Sequence, residues 1–140
     1  MKLKTATLIG PALDWAVAKC EGIEVVAWWT ENKEAYFVVH KDCFLDKDQG
    51  TTYGDPDDTF YPSTNWAHGG AIIERHQIQT QRGNDLYFPK GNEKGDYYEP
   101  LWIASLTPLE VWGPTPLIAA LRCYVASKLG SEVDVPEELL

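Results

Sequence analysis

The residues best able to do chemistry are concentrated in one stretch, YPSTNWAHGGAIIER, at residues 61–75. Its aromatic rings could stack on a flat ligand, its hydroxyl and amide groups could read a polar edge, and glycine amides with an arginine could meet an anionic group. The predicted ligand-binding residues here are Tyr61, Ser63, Thr64, Asn65, Trp66, His68, Gly69, Gly70, Glu74 and Arg75. Trp15, Trp102 and Arg122 are predicted to contribute from elsewhere in the chain.

This set is typical of a site for a small nucleotide-like ligand, but a purely structural interpretation stays open. In that interpretation Trp66 belongs to the core, Glu74 and Arg75 are two solvated charges on opposite sides of a strand, and the paired glycines only form a bend. Trp15 has the same two interpretations, either packing at the edge of the core or lining a pocket.

Catalytic and metal sites have little support in the sequence. The motifs GxSxG, GxxxxGK[ST] and GxGxxG are absent, so a hydrolase elbow, a phosphate loop and a dinucleotide fingerprint are not indicated. Glu74 beside His68 or His76 would supply an acid and a base, but no pattern favours that pairing. The spacing of His40, Cys43, His68 and His76 does not match structural zinc. We therefore expect no catalytic residue, no metal and no cofactor.

Composition and charge limit the partners. The chain has 140 residues, with 12 basic and 21 acidic side chains and a net charge of −9, and no cluster of Lys and Arg that would hold a nucleic-acid backbone. The apolar runs are too short to cross a bilayer and no signal segment is apparent, so no membrane partner is expected. Cys20, Cys43 and Cys123 have no CxxC spacing and are predicted to be reduced thiols in the cytoplasm. One domain covering residues 1–140 is expected.

Two stretches have the apolar period of an amphipathic helix, residues 11–21 and 116–129. Each begins with a proline, which suits the first helical turn, and each is followed by a glycine, Gly22 or Gly130, typical of a helix end. Thr115 is placed to cap the second helix.

The surest strands are residues 23–29 and 35–40, which read as an antiparallel hairpin because β-branched and aromatic runs flank a short polar loop. Residues 71–80 are predicted as a partly exposed strand, with a short helix as the alternative. Residues 97–106 are predicted as a strand that Pro100 places at a sheet edge or just after a bulge.

The remaining segments read as loops and a terminal extension. Residues 46–58 are predicted as an exposed loop, where DKDQG lacks the full calcium pattern. Residues 82–95 are predicted as a loop and residues 107–113 as a turn, while the acidic tail is expected to add one short extended piece and a final turn. The elements together predict an α+β fold, an antiparallel sheet with an N-terminal and a C-terminal amphipathic helix packed on one face.

Three segments closely resemble the NinX-like family of small lambdoid phage and prophage proteins. They are ALDWAVAKCEG at residues 12–22, the stretch at residues 61–75, and GPTPLIAALRCYVASKLGSEVDVPEEL at residues 113–139. The family pattern GGPIIE has a proline where this chain has Ala71, which puts only the local turn in question. The resemblance implies a phage origin and action in the cytoplasm of the bacterial host, but it specifies no activity.

The expected function is therefore a non-enzymatic phage accessory protein, acting as a monomer or a homodimer, that binds a small nucleotide-like ligand. By analogy, such a protein could blunt host defence by sequestering a nucleotide signal. One alternative is a protein-interaction module that inhibits a host protein, using the acidic residues 42–58 or 132–138 to mimic nucleic acid. A second alternative is a nucleotide-processing enzyme.

Overall fold

A computed structural model of the chain describes residues 1–23, 25–29, 36–40, 44–46, 51–53, 60–83 and 101–139. The strands within residues 25–53 are described through their backbone pairing. The predicted α+β class, with antiparallel strands and helices near both ends of the chain, is confirmed. Within the described residues the strands are distributed over four small antiparallel sheets.

The C-terminal helix α3 (Pro116–Leu129) is the centre of the molecule. It packs on the sheet formed by β6 (Gln79–Arg82), β7 (Trp102–Leu106) and β8 (Leu109–Gly113), and also against the two other helices. A helix enclosed in this way is apolar around most of its circumference. Its buried residues are Leu117, Ile118, Ala119, Ala120, Leu121, Cys123, Tyr124 and Val125.

Both predicted helices are confirmed. The Thr115 hydroxyl caps α3 by accepting from the Ile118 N–H at 3.1 Å. Helix α1 (Gly10–Glu21) ends at Gly22, whose φ of 70° is the left-handed conformation that glycine adopts without strain. Helix α1 packs against α3 and against the hairpin of β2 (Val25–Trp29) and β3 (Tyr36–His40).

The hairpin is confirmed as antiparallel, with Val25 opposite His40. Strand β1 (Lys2–Lys4) pairs with β9 (Glu132–Asp134), which confirms the extended piece predicted near the end of the chain. The predicted final turn is confirmed as a 3₁₀ turn at Glu137–Leu139.

The loop prediction for residues 46–58 was wrong in part. Strand β4 (Phe44–Asp46) ends inside it and β5 (Thr51–Tyr53) lies inside it, because TTY is β-branched and aromatic and pairs with β4.

Two predictions around β7 need correction. Strand β7 lies between β6 and β8, so it is the central strand of its sheet rather than an edge strand; it begins at Trp102, after Pro100, which lies outside the described residues. The turn predicted for residues 107–113 is confined to Thr107 and Pro108, and β8 follows at once. The alternation of Leu109 and Val111 with polar or larger residues fits a strand with one face on the core.

The strand preferred for residues 71–80 was wrong for most of that length, and the alternative, a short helix, is confirmed there as part of α2 (Trp66–His76). The helix starts before that window, where the Asn65 side chain caps it by accepting from the Ala67 N–H at 2.9 Å. Its buried positions, Gly69 and Ile72, follow helical spacing, but a glycine gives little apolar signal in a sequence. Gln77, at φ 53°, ends the helix, and β6 begins at Gln79.

None of the helices within the described ranges is long and apolar enough to span a membrane.

Candidate functional site

A cleft of about 480 Å³ lies between the end of α1 and one face of α2. Its volume is in the range of small-molecule sites. The described residues that line it are Glu21, Ile23, Phe60, Ala67, His68, Ala71, Ile72 and Arg75. Five of these come from α2 at helical spacing, so a single helix face forms one wall of the cleft.

Close packing fixes the position of α2 against α3. A Cβ atom at Gly69 would lie 2.4 Å from Leu117 Cδ1 and 2.6 Å from the Pro62 carbonyl oxygen. Only a residue without a side chain allows this approach. Gly69 therefore sets the distance between the two helices, and with it the orientation of the α2 face that lines the cleft.

A buried hydrogen bond attaches the segment before α2 to α1. The Ser63 N–H donates to Asp14 Oδ1 at 2.7 Å, and both residues are buried. Burial raises the pKa of the Asp14 carboxyl from 3.8 to about 6, and hydrogen bonding from Ser63 offsets part of that effect. The Asp14 carboxyl thus fixes the segment that precedes α2. The free-energy cost of burying this carboxyl depends on pH, because its ionised form is the one that burial disfavours.

A polar group closes one end of the cleft. Glu21 accepts a hydrogen bond from Arg75 Nη2, and the two side chains form an ion pair in which Glu21 is 13% exposed and Arg75 58% exposed. The Tyr124 phenol lies near Glu21. Burial and then the nearby Glu21 charge raise the pKa of Tyr124 to about 12, so this phenol stays a donor. The His76 ring packs on Tyr124 with their centroids 4.5 Å apart.

Aromatic rings form another wall. The His68 ring lies nearly parallel to Phe60, with 6.1 Å between centroids and 13° between planes. Tyr61 meets the same imidazole edge-on at 5.5 Å. His68 Nδ1 is buried and has no hydrogen-bond partner within the described part of the chain. The cleft therefore combines stacked aromatic rings with an acid and a base that are paired to each other.

Of the predicted site residues, His68 and Arg75 line this cleft, and Tyr61 lies directly behind His68. Asn65 caps α2. Thr64 and Glu74 are exposed. Ser63 is the buried partner of Asp14 described above.

The remaining predicted residues lie outside the described lining. Trp66, which is 57% exposed, lies at the start of α2, so its interpretation as a core residue was wrong. Trp15 is partly buried at the edge of the core with Lys19 Nζ 5.1 Å from its ring centroid, as one of its two interpretations predicted. Trp102 packs against the core from β7.

Arg122 has structural contacts. Its Nε donates to the Leu8 carbonyl at 2.7 Å and its Nη1 donates to the Trp112 carbonyl at 2.9 Å. These bonds join the segment before α1 to the end of β8.

The expected contact between glycine amides and an anion needs correction. Gly69 and Gly70 lie inside α2 rather than in a bend, and the Gly69 N–H donates to the Asn65 carbonyl at 2.8 Å. An amide that is used within a helix is not available to a ligand. Gly69 serves the packing of α2 against α3 instead.

Sequence reasoning missed Glu21, Ile23, Phe60, Ala67, Ala71 and Ile72 as lining residues. A signal for Glu21 was present, because it continues the buried i, i+4 row of Leu13 and Val17 with a charged residue. A charged group at the end of an apolar row is a candidate for a partly buried site.

Among the described residues, no group of three or more His, Cys, Asp or Glu side chains comes together in a way that could hold a metal ion.

The fold and the cleft define a small α+β protein with a helix-lined site. The chain matches the family model described as Bacteriophage P22, NinX over residues 4–128, and it therefore belongs to the NinX family of phage proteins. The match includes all the described lining residues of the cleft and confirms the family resemblance. It covers the first two sequence segments and the third as far as residue 128. A search of curated proteins finds no match to the chain.

Proposed function

We propose that this phage accessory protein binds a small nucleotide-like ligand, without turning it over, in the cleft between α1 and α2. The observation that supports this function is the combination of two aromatic lining residues, Phe60 and His68, with the paired charges of Glu21 and Arg75. A flat ring can stack on the imidazole while its polar edge meets the charged pair.

The base ring of the ligand lies in the cleft, and its phosphates remain in solvent. Arg75 is the only cation among the described lining residues, and Glu21 offsets its charge. The glycine amides expected to meet an anion are inside α2. A chain with a net charge of −9 also repels additional phosphates. Affinity should consequently depend little on the number of phosphates and only weakly on salt.

Such binding would act by sequestration in the cytoplasm of the bacterial host. A phage protein that holds a nucleotide intact lowers its free concentration in proportion to the amount of protein made. This is the anti-defence role that we propose for the chain. It requires a stoichiometric complex rather than a catalytic group.

Mass spectrometry of the small molecules released from the purified protein by denaturation tests the proposal. A nucleotide recovered intact and at close to one per chain is the expected result. A ligand recovered in cleaved form would overturn sequestration and favour the nucleotide-processing alternative. A protein that releases nothing, and whose melting temperature no nucleotide raises, would overturn ligand binding and favour inhibition of a host protein.

A pair of variants locates the site. Ala71 lines the cleft and is exposed, so Ala71→Trp should fill the cleft without entering the core. Glu74→Trp adds the same ring at an exposed α2 position outside the described lining and is the matched control. We expect ligand binding to be lost in Ala71→Trp and kept in Glu74→Trp. Equal binding by both variants would show that the ligand sits elsewhere.

A further inference from the structure

We propose that the Glu21–Arg75 pair makes the cleft selective for a guanine-type base, a step that rests on the proposed function. The two side chains come from different helices, α1 and α2, and meet at the end of the cleft. Side by side they present a carboxylate acceptor and a guanidinium donor to whatever occupies the cleft. The selectivity follows from counting the hydrogen-bonding positions they leave open.

The Glu21 carboxylate has acceptor capacity left. An ionised carboxylate offers about four lone-pair positions. Arg75 takes one of them. More than one acceptor position is therefore left unused by the described residues, on a side chain that is only 13% exposed and so poorly served by water. A ligand with two adjacent donors fits this end of the cleft.

Arg75 complements that pattern. Its guanidinium has five N–H donors and is 58% exposed, so donors remain beyond the bond to Glu21. A guanine base has two neighbouring donors, N1–H and the 2-amino group, beside an acceptor, O6. Glu21 can accept from both donors while Arg75 donates to O6.

The other bases match less well. Adenine and cytosine each present one amino donor next to a ring nitrogen lone pair, which would leave an acceptor position of Glu21 unfilled or facing another acceptor. Leaving a buried charged acceptor unpaired is costly. Hypoxanthine keeps N1–H and O6 but lacks the 2-amino group, so it isolates the contribution of the second donor. A bidentate base contact is worth about tenfold to a hundredfold in discrimination.

The test is calorimetric titration of the wild-type protein with guanosine, inosine, adenosine and cytidine monophosphates under identical buffer conditions. We expect guanosine monophosphate to bind at least about tenfold more tightly than the adenosine and cytidine forms, with inosine monophosphate between them. This comparison needs no variant, so a folding defect cannot obscure it.

A charge-removing pair then assigns the selectivity to Glu21. Glu21→Gln replaces an acceptor with a donor toward the base and should abolish the preference for guanosine monophosphate. Glu74→Gln removes the same charge from an exposed α2 position outside the described lining and should keep the preference. Matching melting temperatures for the two variants show that the comparison concerns binding.

The outcomes separate this inference from the proposed function. Binding of all four monophosphates with equal affinity, or an undiminished preference in Glu21→Gln, would overturn guanine selectivity and leave the binding function standing. If none of the four monophosphates bound, the proposed function and the inference would both be overturned.

Discussion

Replacing Asp14 with asparagine should change how the stability of the protein depends on pH. The wild-type carboxyl is buried and accepts a hydrogen bond from the Ser63 N–H at 2.7 Å. Asparagine keeps an oxygen acceptor at that position and removes the buried charge. The substitution therefore isolates the effect of ionising this carboxyl inside the protein.

The magnitude follows from the pKa of Asp14, which burial raises from 3.8 to about 6 in the folded state. A carboxyl with a raised pKa favours the folded state in its protonated form. Its stabilising contribution is full below pH 3.8 and is lost as the pH rises through 6. The difference between the unfolded-state and folded-state pKa values corresponds to about 3 kcal/mol in the free energy of unfolding, of which about 2 kcal/mol is lost between pH 4.5 and 7.5.

Urea unfolding of wild type and Asp14→Asn across this pH range is the assay. The free energy of unfolding of the variant, relative to wild type, should rise by about 2 kcal/mol from pH 4.5 to 7.5, whatever the constant offset between the two proteins. A difference that stayed constant across the range would refute our account of this carboxyl.

Asp134→Asn is the control, because the pKa of the Asp134 carboxyl is shifted in the opposite direction. A hydrogen bond from the N-terminal ammonium to Asp134, at 2.8 Å, lowers the pKa of this exposed carboxyl. Its contribution is present above pH 3.8 and is lost only as the pH falls below that value. The free energy of unfolding of the control variant, relative to wild type, should therefore stay nearly constant from pH 4.5 to 7.5.

Three further predictions concern packing and exposure. Gly69→Ala should destabilise the protein by about 1–3 kcal/mol in urea unfolding, because the new methyl group would meet the Leu117 side chain and a backbone carbonyl. A Cβ atom at Gly70 would have its nearest contact at 3.7 Å, so Gly70→Ala should stabilise α2 by up to about 1 kcal/mol. Equal effects of the two substitutions would contradict this account of the packing. Trp66 is 57% exposed and lies outside the described lining. Trp66→Ala should therefore change the free energy of unfolding by less than about 1 kcal/mol and leave nucleotide affinity unchanged. Loss of binding in calorimetry would extend the site to Trp66. Burial and the neighbouring Glu21 raise the pKa of Cys20 from 9.0 to about 11. Iodoacetamide at pH 7.5 should therefore label Cys20 at least roughly tenfold more slowly than in the unfolded chain, because the thiolate is scarcer although more nucleophilic. Peptide mass spectrometry follows the labelling, and equal rates would show an accessible thiolate.

The terminal helices could be predicted because their signals are local. Proline at the start and glycine at the end of each helix, with Thr115 as a cap, act over a few residues. Their apolar residues also recur with helical spacing. The same local character made the β2–β3 hairpin predictable.

Helix α2 could not be predicted in the same way, since its burial depends on α3. Gly69 is a packing position only because Leu117 approaches it from a helix far away in sequence. A sequence window that begins at Ala71 contains neither this position nor the Asn65 cap. The local alternation of residues 71–80 was therefore overridden by tertiary contacts.

The stretch at residues 61–75 supplies several lining residues of the candidate cleft, but the way it forms that cleft was not predictable. His68 and Arg75 face the cleft because α2 is a helix, whereas Trp66 and Glu74 lie outside the described lining for the same reason. Glu21 reaches Arg75 across 54 positions of sequence, a proximity that only the packing of α1 and α2 creates.

The central claim, that a nucleotide-like ligand binds between α1 and α2, is tested most directly by NMR titrations of the labelled protein with each of the four nucleoside monophosphates. We predict that backbone chemical-shift changes will concentrate at four lining residues, Glu21, Ala67, Ala71 and Arg75. Changes in the paired strands β1 and β9 should be much smaller. The absence of any saturable change, or changes concentrated away from the cleft, would contradict the account.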